Sequence, residues 1–409
     1  MVNKGIMRKK KIAIIGTAGV PSRYGGFETL AHHLVKNLEE TFHLSVYCSK
    51  VIYKKEERVN SWNGARLIYL PFSANGIQSI IYDIVSMIHA LFFADVLIVL
   101  GVSGGIFIPV IKLFTRKKVI VNIDGLEWRR DKWSTPVKKF LKLSERLAVK
   151  FSDADVTDNA AIKRYTAMYY KTLSHQIEYG GDHCQKVKLI KSDYAEYDFL
   201  KYPYAFKVCR IEPENNVHII LNAFAALPSK TLVMIGNWQN SEYGIELFEK
   251  FSQFENIHLL DPIYDQQKLD KIRFNCYVYL HGHSAGGTNP SLVEAMYLNL
   301  PVIAFDVSYN RATTEDKALF FKDESSLQEL LETTSLSQYT TVKKALKLVA
   351  DKKYTWSIIA QKYAQLVYCF DHDYQKSSVR SKISRLEETY LIGQGLGHLK
   401  RSRLFYEEL

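Results

Sequence analysis

Residues 281–296 form the stretch whose residue types and order most clearly suggest chemistry. They read HGHSAGGTNPSLVEAM, after a short apolar run and before an amphipathic one. Gly286 and Gly287 let the backbone approach a ligand closely. Asn289 suits a helix N-cap, and Pro290 suits the first helical position. The stretch therefore predicts a row of backbone N–H donors directed at one anion, at the start of a helix.

Glu294 falls about one turn inside that predicted helix. A lone buried carboxylate is unfavourable unless it is paired, and from this position it can reach the hydroxyls of a ribose. The alternative is a glycine-rich helix cap with Glu294 in solvent. His281 and His283 lack the carboxylate or cysteine partners that a zinc site needs, so we expect no metal there.

A second candidate stretch, residues 209–216, reads CRIEPENN and follows the first apolar run of the second half of the chain. An arginine just past a parallel strand points to the edge where ligands bind, and its planar guanidinium suits a diphosphate. We therefore expect Arg210 to contact an anion. A surface loop with ordinary ion pairs is the alternative.

Near the N-terminus, residues 16–29 read GTAGVPSRYGGFET, between a predicted strand and a predicted helix. The spacing is not G-x-G-x-x-G, and no acidic residue ends the second predicted strand, which argues against a dinucleotide fingerprint. The glycines and the helix N-terminus behind them suit an anion or a sugar hydroxyl. A tight strand–helix turn is the alternative.

A polar loop with two tryptophans, residues 122–133, reads NIDGLEWRRDKW and follows another predicted strand. Asp124, at the end of that strand, can orient sugar hydroxyls. Trp128 and Trp133 can stack on a pyranose face or touch a lipid interface. An ordinary polar loop is the alternative.

The composition is that of a globular chain with more than one domain. Of its 409 residues 47% are apolar and 24% are charged, which excludes a mainly disordered chain and a disulfide-stapled miniprotein. Five scattered cysteines without a C-x-x-C pair favour a reduced, cytoplasmic setting. The net charge of +11 favours anionic partners. Because the charge is dispersed and no nucleic-acid module is recognisable, we expect no nucleic acid partner.

Short apolar runs alternate with longer amphipathic runs, which predicts βαβ units and parallel sheets. The first strand is predicted at Lys11–Ile15, and the rhythm restarts near Ala205. The expected fold class is α/β, with two Rossmann-like doubly wound domains that face each other across a cleft, where ligands bind beyond the strands' carboxyl ends. We place the N-terminal domain at residues 1–195, the C-terminal domain at 196–370 and a helical tail at 371–409.

Residues 77–114 are the most apolar part of the chain, but aspartate, histidine, glycine and proline residues interrupt them. A membrane-spanning helix needs about 20 predominantly apolar residues, so we predict no transmembrane segment. Any membrane contact would be peripheral. The region also supplies a strand and a helix that the sheet needs, which favours a core location over lipid contact.

The two-domain plan, the arginine after the first strand of the second half and the glycine-rich turn ending in SLVEAM resemble the GT-B glycosyltransferases of family 4. Two segments, GVPSRYGGFET at 19–29 and GGTNPSLVEA at 286–295, resemble more narrowly the bacterial rhamnosyltransferases of capsule and rhamnan assembly. The resemblance covers roughly residues 10–370.

This resemblance implies that the C-terminal domain binds the nucleotide sugar and the N-terminal domain binds the acceptor. The family retains the anomeric configuration without a metal and has no firmly assigned covalent nucleophile, so catalysis would consist of positioning and electrostatics. The residues implied are Arg210, Glu294 and Asp124 for catalysis; Arg210, Gly286, Gly287, Thr288, Asn289, Ser291 and Glu294 for the nucleotide sugar; and Arg23, Tyr24, Gly25 and Gly26 for the acceptor.

Two positions depart from the family pattern. The family often has a lysine five positions after the arginine, where this chain has Asn215, and the first glutamate of a pair, where this chain has Gly286. A second diphosphate cation is then missing or comes from elsewhere. With one carboxylate fewer for the donor sugar, a deoxysugar such as rhamnose is favoured over a hexose.

The resemblance thus implies transfer of L-rhamnose from dTDP-L-rhamnose to a sugar on undecaprenyl diphosphate, with no cofactor. The enzyme would be cytoplasmic and peripherally associated with the inner face of the plasma membrane. One alternative is a transferase of the same fold that uses a UDP-hexose or a UDP-N-acetylhexosamine. The other is a catalytically inactive GT-B-like scaffold subunit.

Overall fold

The computed structural model describes residues 8–23, 25–123, 125–129, 133–372 and 374–376. The chain forms two compact units. The first unit contains residues up to 177 and those from 359 onward, and the second unit contains residues 178–358. Each has its own predominantly parallel sheet with helices, so the predicted α/β class with two Rossmann-like domains is confirmed.

The sheet of the first unit is built on strands that the apolar runs predicted. Its strands are β1 (Lys11–Ile15), β2 (His43–Ser49), β3 (Ser61–Trp62), β4 (Ala65–Leu70), β5 (Val96–Leu100), β6 (Lys118–Asn122), β7 (Ala154–Thr157) and β8 (His175–Gln176). Their order is β3-β4-β2-β1-β5-β6-β7-β8, and only β3 and β4 pair antiparallel. Strand β5 and residues 12–15 of β1 are buried on both faces of the sheet, which explains their apolar sequences.

Helices connect these strands. They are α1 (Gly26–Leu38), α2 (Gln78–Ala90), α3 (Ile108–Phe114), α4 (Thr135–Phe151) and α5 (Ala160–Tyr169). The connections β4–α2–β5, β5–α3–β6 and β6–α4–β7 all advance in the same direction along the sheet. Because parallel crossovers are right-handed, α2, α3 and α4 lie on one face, and α1 lies on the other.

The second unit has a six-stranded sheet in the order β11-β10-β9-β12-β13-β14, with every pair parallel. The strands are β9 (Tyr204–Val208), β10 (Thr231–Ile235), β11 (Ile257–Leu260), β12 (Val278–His281), β13 (Val302–Phe305) and β14 (Leu319–Phe321). The helices are α6 (Lys191–Glu196), α7 (Val217–Ala225), α8 (Glu242–Phe251), α9 (Gln266–Phe274), α10 (Pro290–Tyr297), α11 (Ser308–Thr314), α12 (Glu324–Thr333) and α13 (Leu336–Lys353).

The unit boundaries differ from the sequence-based ones at both ends. Residues 178–195, assigned to the N-terminal domain, pack in the second unit: the Gly181 amide donates to the Tyr354 carbonyl at 2.8 Å, and Lys271 pairs with Asp193 at 2.6 Å. The polar segment has no periodicity of its own, so its sequence does not reveal which core it joins.

The last described helix, α14 (Trp356–Cys369), starts in the second unit and ends in the first. The Asn122 amide donates to the Tyr363 hydroxyl at 2.9 Å, and Lys10 Nζ donates to the Val367 carbonyl at 3.1 Å. Residues 359–370 therefore belong to the first unit, although the sequence placed them in the C-terminal domain. Of the tail expected at 371–409, only 371, 372 and 374–376 are among the described residues.

The apolar region 77–114 has two different environments. Strand β5 is fully buried, as expected for core. The turn after α2 and the helix α3 expose large apolar side chains, with Phe92 85% and Leu113 77% exposed. Among the described residues, no helix is both long and apolar enough to cross a membrane.

Candidate functional site

The structure brings two of the predicted motifs together at one edge of the second unit's sheet. Strands β9 and β12 are neighbours, so the loops that follow them, residues 209–216 and 282–289, lie side by side. The Ser284 amide and hydroxyl donate to the Glu214 carbonyl at 2.8 and 2.9 Å, and the Asn216 side chain donates to the Gly282 carbonyl at 2.9 Å. We call these two segments the paired loops.

Helix α10 begins where the sequence predicted. Pro290 is its first residue, and the Asn289 side chain accepts a hydrogen bond from the Ser291 amide at 3.1 Å, which confirms the predicted N-cap. The Ser291 hydroxyl also donates to Asn289, at 2.7 Å. Both side chains are thus engaged in the cap.

The glycine pair before this helix has a conformation that few other residues adopt. Gly286 has φ of +119°, and an added Cβ would meet no atom within 4 Å. Gly287 is half-buried and Thr288 is buried. A side chain at position 286, where the resembled family has a glutamate, would be strained at this φ.

Arg210 is half-exposed on the first of the paired loops, and its Nη1 lies 3.5 Å from Glu212 Oε1. Asn215, at the position of the family's lysine, is buried and donates from Nδ2 to the Arg210 carbonyl at 2.7 Å. Asn215 therefore shapes the backbone that carries Arg210 and adds no charge. Arg210 contributes the positive charge on this loop.

Glu294 is buried and ion-paired, so the alternative of a solvated glutamate is wrong. Arg273 Nη1 lies 2.6 Å from one carboxylate oxygen, and His183 Nε2 lies 3.3 Å from the other. His183 Nδ1 accepts from the Trp356 indole at 3.1 Å, which leaves its Nε2–H to donate to Glu294. Burial alone would raise the pKa of Glu294, but Arg273 and His183 outweigh it and lower the pKa to about 2.

Sequence reasoning missed Arg273 and His183. Arg273 comes from α9 and is buried, with Asp270 one turn earlier at 3.6 Å and the Cys184 sulfur at 3.0 Å. A basic residue in the last turn of a helix reads as an ordinary C-terminal charge, so its sequence carries no signal of burial. His183, Cys184 and Glu294 also bring possible metal-ligand atoms within 4.8 Å of one another. Because Arg273 already neutralises Glu294, we assign no metal to them.

The first unit holds the other glycine-rich motif. Gly25 has φ of +118° and directly precedes α1, which starts at Gly26. An added Cβ on Gly25 would lie 2.0 Å from Glu28 Oε2. Glu28 accepts from the Ala18 amide at 2.7 Å, and burial raises its pKa. Glu28 closes this turn, a role that the sequence analysis did not assign to it.

Arg23 is half-exposed and is held by the residues 52–57 segment. Its guanidinium donates to the Ile52 carbonyl at 3.1 Å, pairs with Glu57 at 2.8 Å and stacks over the Tyr53 ring at 4.8 Å. Tyr24 and Asp124, the other predicted residues of this unit, lie outside the described residues.

Beside the 122–133 loop, the first unit contains a buried carboxylate that sequence reasoning also missed. Glu145 accepts hydrogen bonds from the Tyr165 and Tyr170 hydroxyls at 2.9 and 2.5 Å. Burial raises its pKa. Lys142 Nζ lies 4.4 Å from the centre of the Trp128 ring, so Trp128 packs on a cation.

Comparison with known families assigns the two parts of the chain separately. Residues 9–182 match a domain of unknown function, DUF1972, and residues 194–337 match the family described as Glycosyl transferases group 1. The second unit thus contains the segment similar to glycosyltransferase group 1 domains, and the fold is that of GT-B glycosyltransferases. That domain supports glycosyltransferase activity. No curated protein matches the chain.

Solved glycosyltransferase structures share the fold at low sequence identity. Sucrose-phosphate synthase from Thermosynechococcus elongatus is 15% identical with a TM-score of 0.73, over 89% of this chain and 99% of that one. Anabaena HepE in complex with UDP and glucose is 14% identical with a TM-score of 0.67, over 88% and 99%. The catalytic domain of starch synthase IV from Arabidopsis thaliana is 12% identical with a TM-score of 0.66, over 88% and 99%.

Proposed function

We propose that this chain transfers L-rhamnose from dTDP-L-rhamnose to a sugar carried on undecaprenyl diphosphate, with retained anomeric configuration and without a metal ion. The observation that carries the proposal is the arrangement of the paired loops. They hold Arg210 and the N-terminus of α10 at the carboxyl ends of neighbouring strands, where open α/β sheets bind ligands. A nucleotide sugar as donor is further supported by the UDP in the HepE structure.

In this proposal the second unit stabilises the leaving diphosphate. Arg210 supplies a half-exposed cation, and the backbone amides of 286–291 supply fixed dipoles at the helix N-terminus. Because Asn289 and Ser291 are engaged in the helix cap, their contribution to the diphosphate is through the backbone. Gly287 and Thr288 contribute in the same way.

Glu294 would accept hydrogen bonds from the ribose hydroxyls. Its carboxylate is about 10% exposed and stays ionised because Arg273 is beside it, so it remains an acceptor at neutral pH. The glycine at 286 leaves the donor sugar with one carboxylate fewer than in the resembled family. A 6-deoxysugar, which has one hydroxyl fewer than a hexose, suits that loss.

The acceptor would bind to the first unit, at Arg23, Gly25 and Gly26, with Tyr24 and Asp124 retained in the proposal. Gly25, with its positive φ, lets the backbone turn into the N-terminus of α1, which suits sugar hydroxyls or a phosphate. Glu28, pinned by the Ala18 amide, keeps that turn in place.

We further propose that the enzyme works in the cytoplasm, docked on the inner face of the plasma membrane. Helices α2, α3 and α4 share one face of the first sheet, and their surroundings expose Ile81, Ile88, Phe92, Leu113, Phe114 and Leu143. Helix α4 adds exposed Lys139, Lys142, Arg146 and Lys150. Apolar side chains next to a row of basic ones suit an anionic lipid surface.

Binding to vesicles tests this docking. Replacing Phe92, Leu113 and Phe114 together by serine should weaken binding to phosphatidylglycerol-containing vesicles at least tenfold. Leu336→Ser, an equally exposed leucine on the second unit, serves as the control and should change binding little. Equal binding of both variants in co-sedimentation would contradict the docking face.

A transfer assay tests the reaction. Full-length protein would receive labelled dTDP-L-rhamnose with glucosyl- or N-acetylglucosaminyl-diphospho-undecaprenol, and UDP-glucose in a parallel reaction. Label transferred from dTDP-rhamnose supports the proposal. Transfer only from UDP-glucose would replace the donor, and failure to bind any nucleotide would favour an inactive scaffold.

Arg210 provides the matched variant for that assay. Arg210→Ala should lower kcat/KM by about 100-fold or more, the size expected for a lost transition-state contact. Arg164→Ala on α5 removes the same side chain elsewhere and should leave the rate nearly unchanged. Near-normal transfer by Arg210→Ala, with an unaltered unfolding midpoint, would contradict the site.

A further inference from the structure

Lys207 is a buried lysine directly beneath the paired loops. It is the next-to-last residue of β9 and is fully buried. Its register partner on β10 is Met234, and Ala205 precedes it on the same face, within the apolar core of the second unit. Among the described residues, no oxygen or nitrogen atom accepts a hydrogen bond from its Nζ, and the Cys209 thiol is a neighbouring polar group.

An amine in this environment is unfavourable unless something compensates it. Burial lowers the pKa of Lys207, and an ammonium without a counter-charge in apolar surroundings is among the most costly groups to bury. A methionine of similar length would fill the same volume without that penalty. A buried amine without a counter-charge is therefore a candidate functional group.

The position of Lys207 Nζ indicates which part of a bound ligand it would contact. A Cβ added to Gly282 would lie 3.1 Å from Lys207 Nζ and 2.3 Å from the Asn215 carbonyl oxygen. Nζ thus lies close to the backbone of Gly282, the first residue of the second paired loop, at the place that a side chain would occupy. A glycine at this position lets the amine come this close to the loop that would hold the phosphates.

The loops themselves carry fewer cations than the resembled family. Arg210 is the positively charged side chain on residues 209–216, and Asn215 replaces the usual second cation and is engaged with the Arg210 carbonyl. A nucleoside diphosphate carries at least two negative charges, so one arginine leaves it undercompensated.

We propose that Lys207 is the second cation of the diphosphate site and acts on the bound diphosphate from beneath Gly282. This inference rests on the proposed function. Burial lowers the pKa of the amine in the unliganded protein, whereas a bound diphosphate favours the ammonium, so any proton that the amine takes up on binding comes from solvent. No covalent bond changes, and the proton returns to solvent when the nucleotide leaves.

The titratable side chains around Nζ are neutral near pH 7, so Lys207 is the residue among them that can supply a positive charge. Cys209, after β9, and His281, at the end of β12, are the titratable groups that interact with it. Burial raises the pKa of Cys209 and lowers that of His281 well below its usual value, so both are neutral near pH 7. The elements packed beside it add apolar Met234 and Ile220. No described carboxylate pairs with Nζ.

The experiment is calorimetric titration of the full-length protein with dTDP, UDP and the matching nucleosides, in Tris and in HEPES at pH 7.5. The two buffers differ in ionisation enthalpy, so the difference in heat gives the protons taken up. Lys207→Met should weaken nucleoside diphosphate binding by at least about tenfold, change nucleoside binding less than threefold and abolish the proton uptake. Lys230→Met, before β10 at the opposite end of the sheet, removes a charge elsewhere and should change none of these.

A second readout separates this role from a structural one. Without ligand, Lys207→Met should unfold at the same temperature as the wild type or higher, because it removes an unpaired buried amine. Lys207→Gln, uncharged and polar, replaces it if the methionine variant does not fold. Undiminished diphosphate affinity or proton uptake in either variant would overturn the role of Lys207 alone. A wild-type protein that binds no nucleoside diphosphate would overturn the proposed function as well.

Discussion

Each of the two units buries a carboxylate, and the two respond to burial in opposite ways. Glu294 in the second unit lies 2.6 Å from Arg273, and its pKa is lowered to about 2. Asp83 in the first unit is as deeply buried and accepts one hydrogen bond, from the Gly104 amide at 3.1 Å. Burial raises the pKa of Asp83 to about 8.

The difference shows that a counter-charge, and not burial itself, decides the ionisation state of an interior carboxylate. Glu294 is kept ionised and can accept hydrogen bonds from a ligand. Asp83 is kept neutral and holds the segment before α3 to α2. The same residue class thus serves a proposed binding site in one unit and packing in the other.

Removing the positive charge beside Glu294 should have the largest effect on the free energy of unfolding. Arg273→Met leaves Glu294 buried without a cation, which should lower the free energy of unfolding by about 3–5 kcal/mol. Arg311→Met removes an arginine from an exposed pairing with Asp306 and Asp316 and should cost about 1 kcal/mol or less. Urea denaturation measures the stability of both variants. A loss of under 1 kcal/mol for Arg273→Met would show that Arg273 is not the group that compensates the burial of Glu294.

Because Asp83 is neutral in the folded chain, its contribution to the free energy of unfolding should fall as pH rises. Because the folded pKa of Asp83 is about 8 and the unfolded value is about 4, the folded chain holds a proton that the unfolded chain releases between these values. Stability then declines by up to about 1.4 kcal/mol per pH unit in that window. Asp83→Asn should remove this contribution, raising the urea midpoint at pH 8 and leaving it unchanged near pH 4.

Glu294, which is ionised in the folded chain, should make the free energy of unfolding rise with pH in the acid range. The stability that Glu294 contributes is complete above its unfolded pKa, about 4.3, and is lost as pH falls toward 2. The loss amounts to about 3 kcal/mol over that window. Glu294→Gln should flatten this acid limb in thermal denaturation between pH 2 and 5, and an unchanged limb would show that Arg273 does not control the titration.

Replacing one glycine in each unit by alanine should give a smaller difference in stability. In Gly286→Ala the added Cβ contacts no atom, so only the positive φ should lower the free energy of unfolding, by about 1–2 kcal/mol. Gly25→Ala has the same strain and also displaces the Glu28 carboxylate, whose bond to the Ala18 amide would be lost. We expect Gly25→Ala to be the more destabilising in urea denaturation; equal losses would mean that Glu28 adjusts freely.

Much of the local structure was predictable from the chain because its causes are local. The apolar run Lys11–Ile15 is strand β1, and Asn289 with Pro290 starts α10, since caps and strand periodicity depend on near neighbours in sequence.

The partners of buried charges were not predictable, because they come from distant segments. Glu294 meets Arg273 from α9 and His183 from a segment without periodicity, and Lys207 lies under Gly282. The boundary of the units moved for the same reason, since α14 reaches Asn122 more than 200 residues earlier.

By itself the amino-acid sequence determined the α/β class, the two sheets and the glycine-rich turns, because each depends on residue type and short-range spacing. Only the tertiary structure decided that Glu294 is ionised, that Asp83 is neutral and that Lys207 is buried without a counter-charge. The energy of a buried charge depends on what lies within a few ångströms in space, and that neighbourhood exists only once the chain has folded.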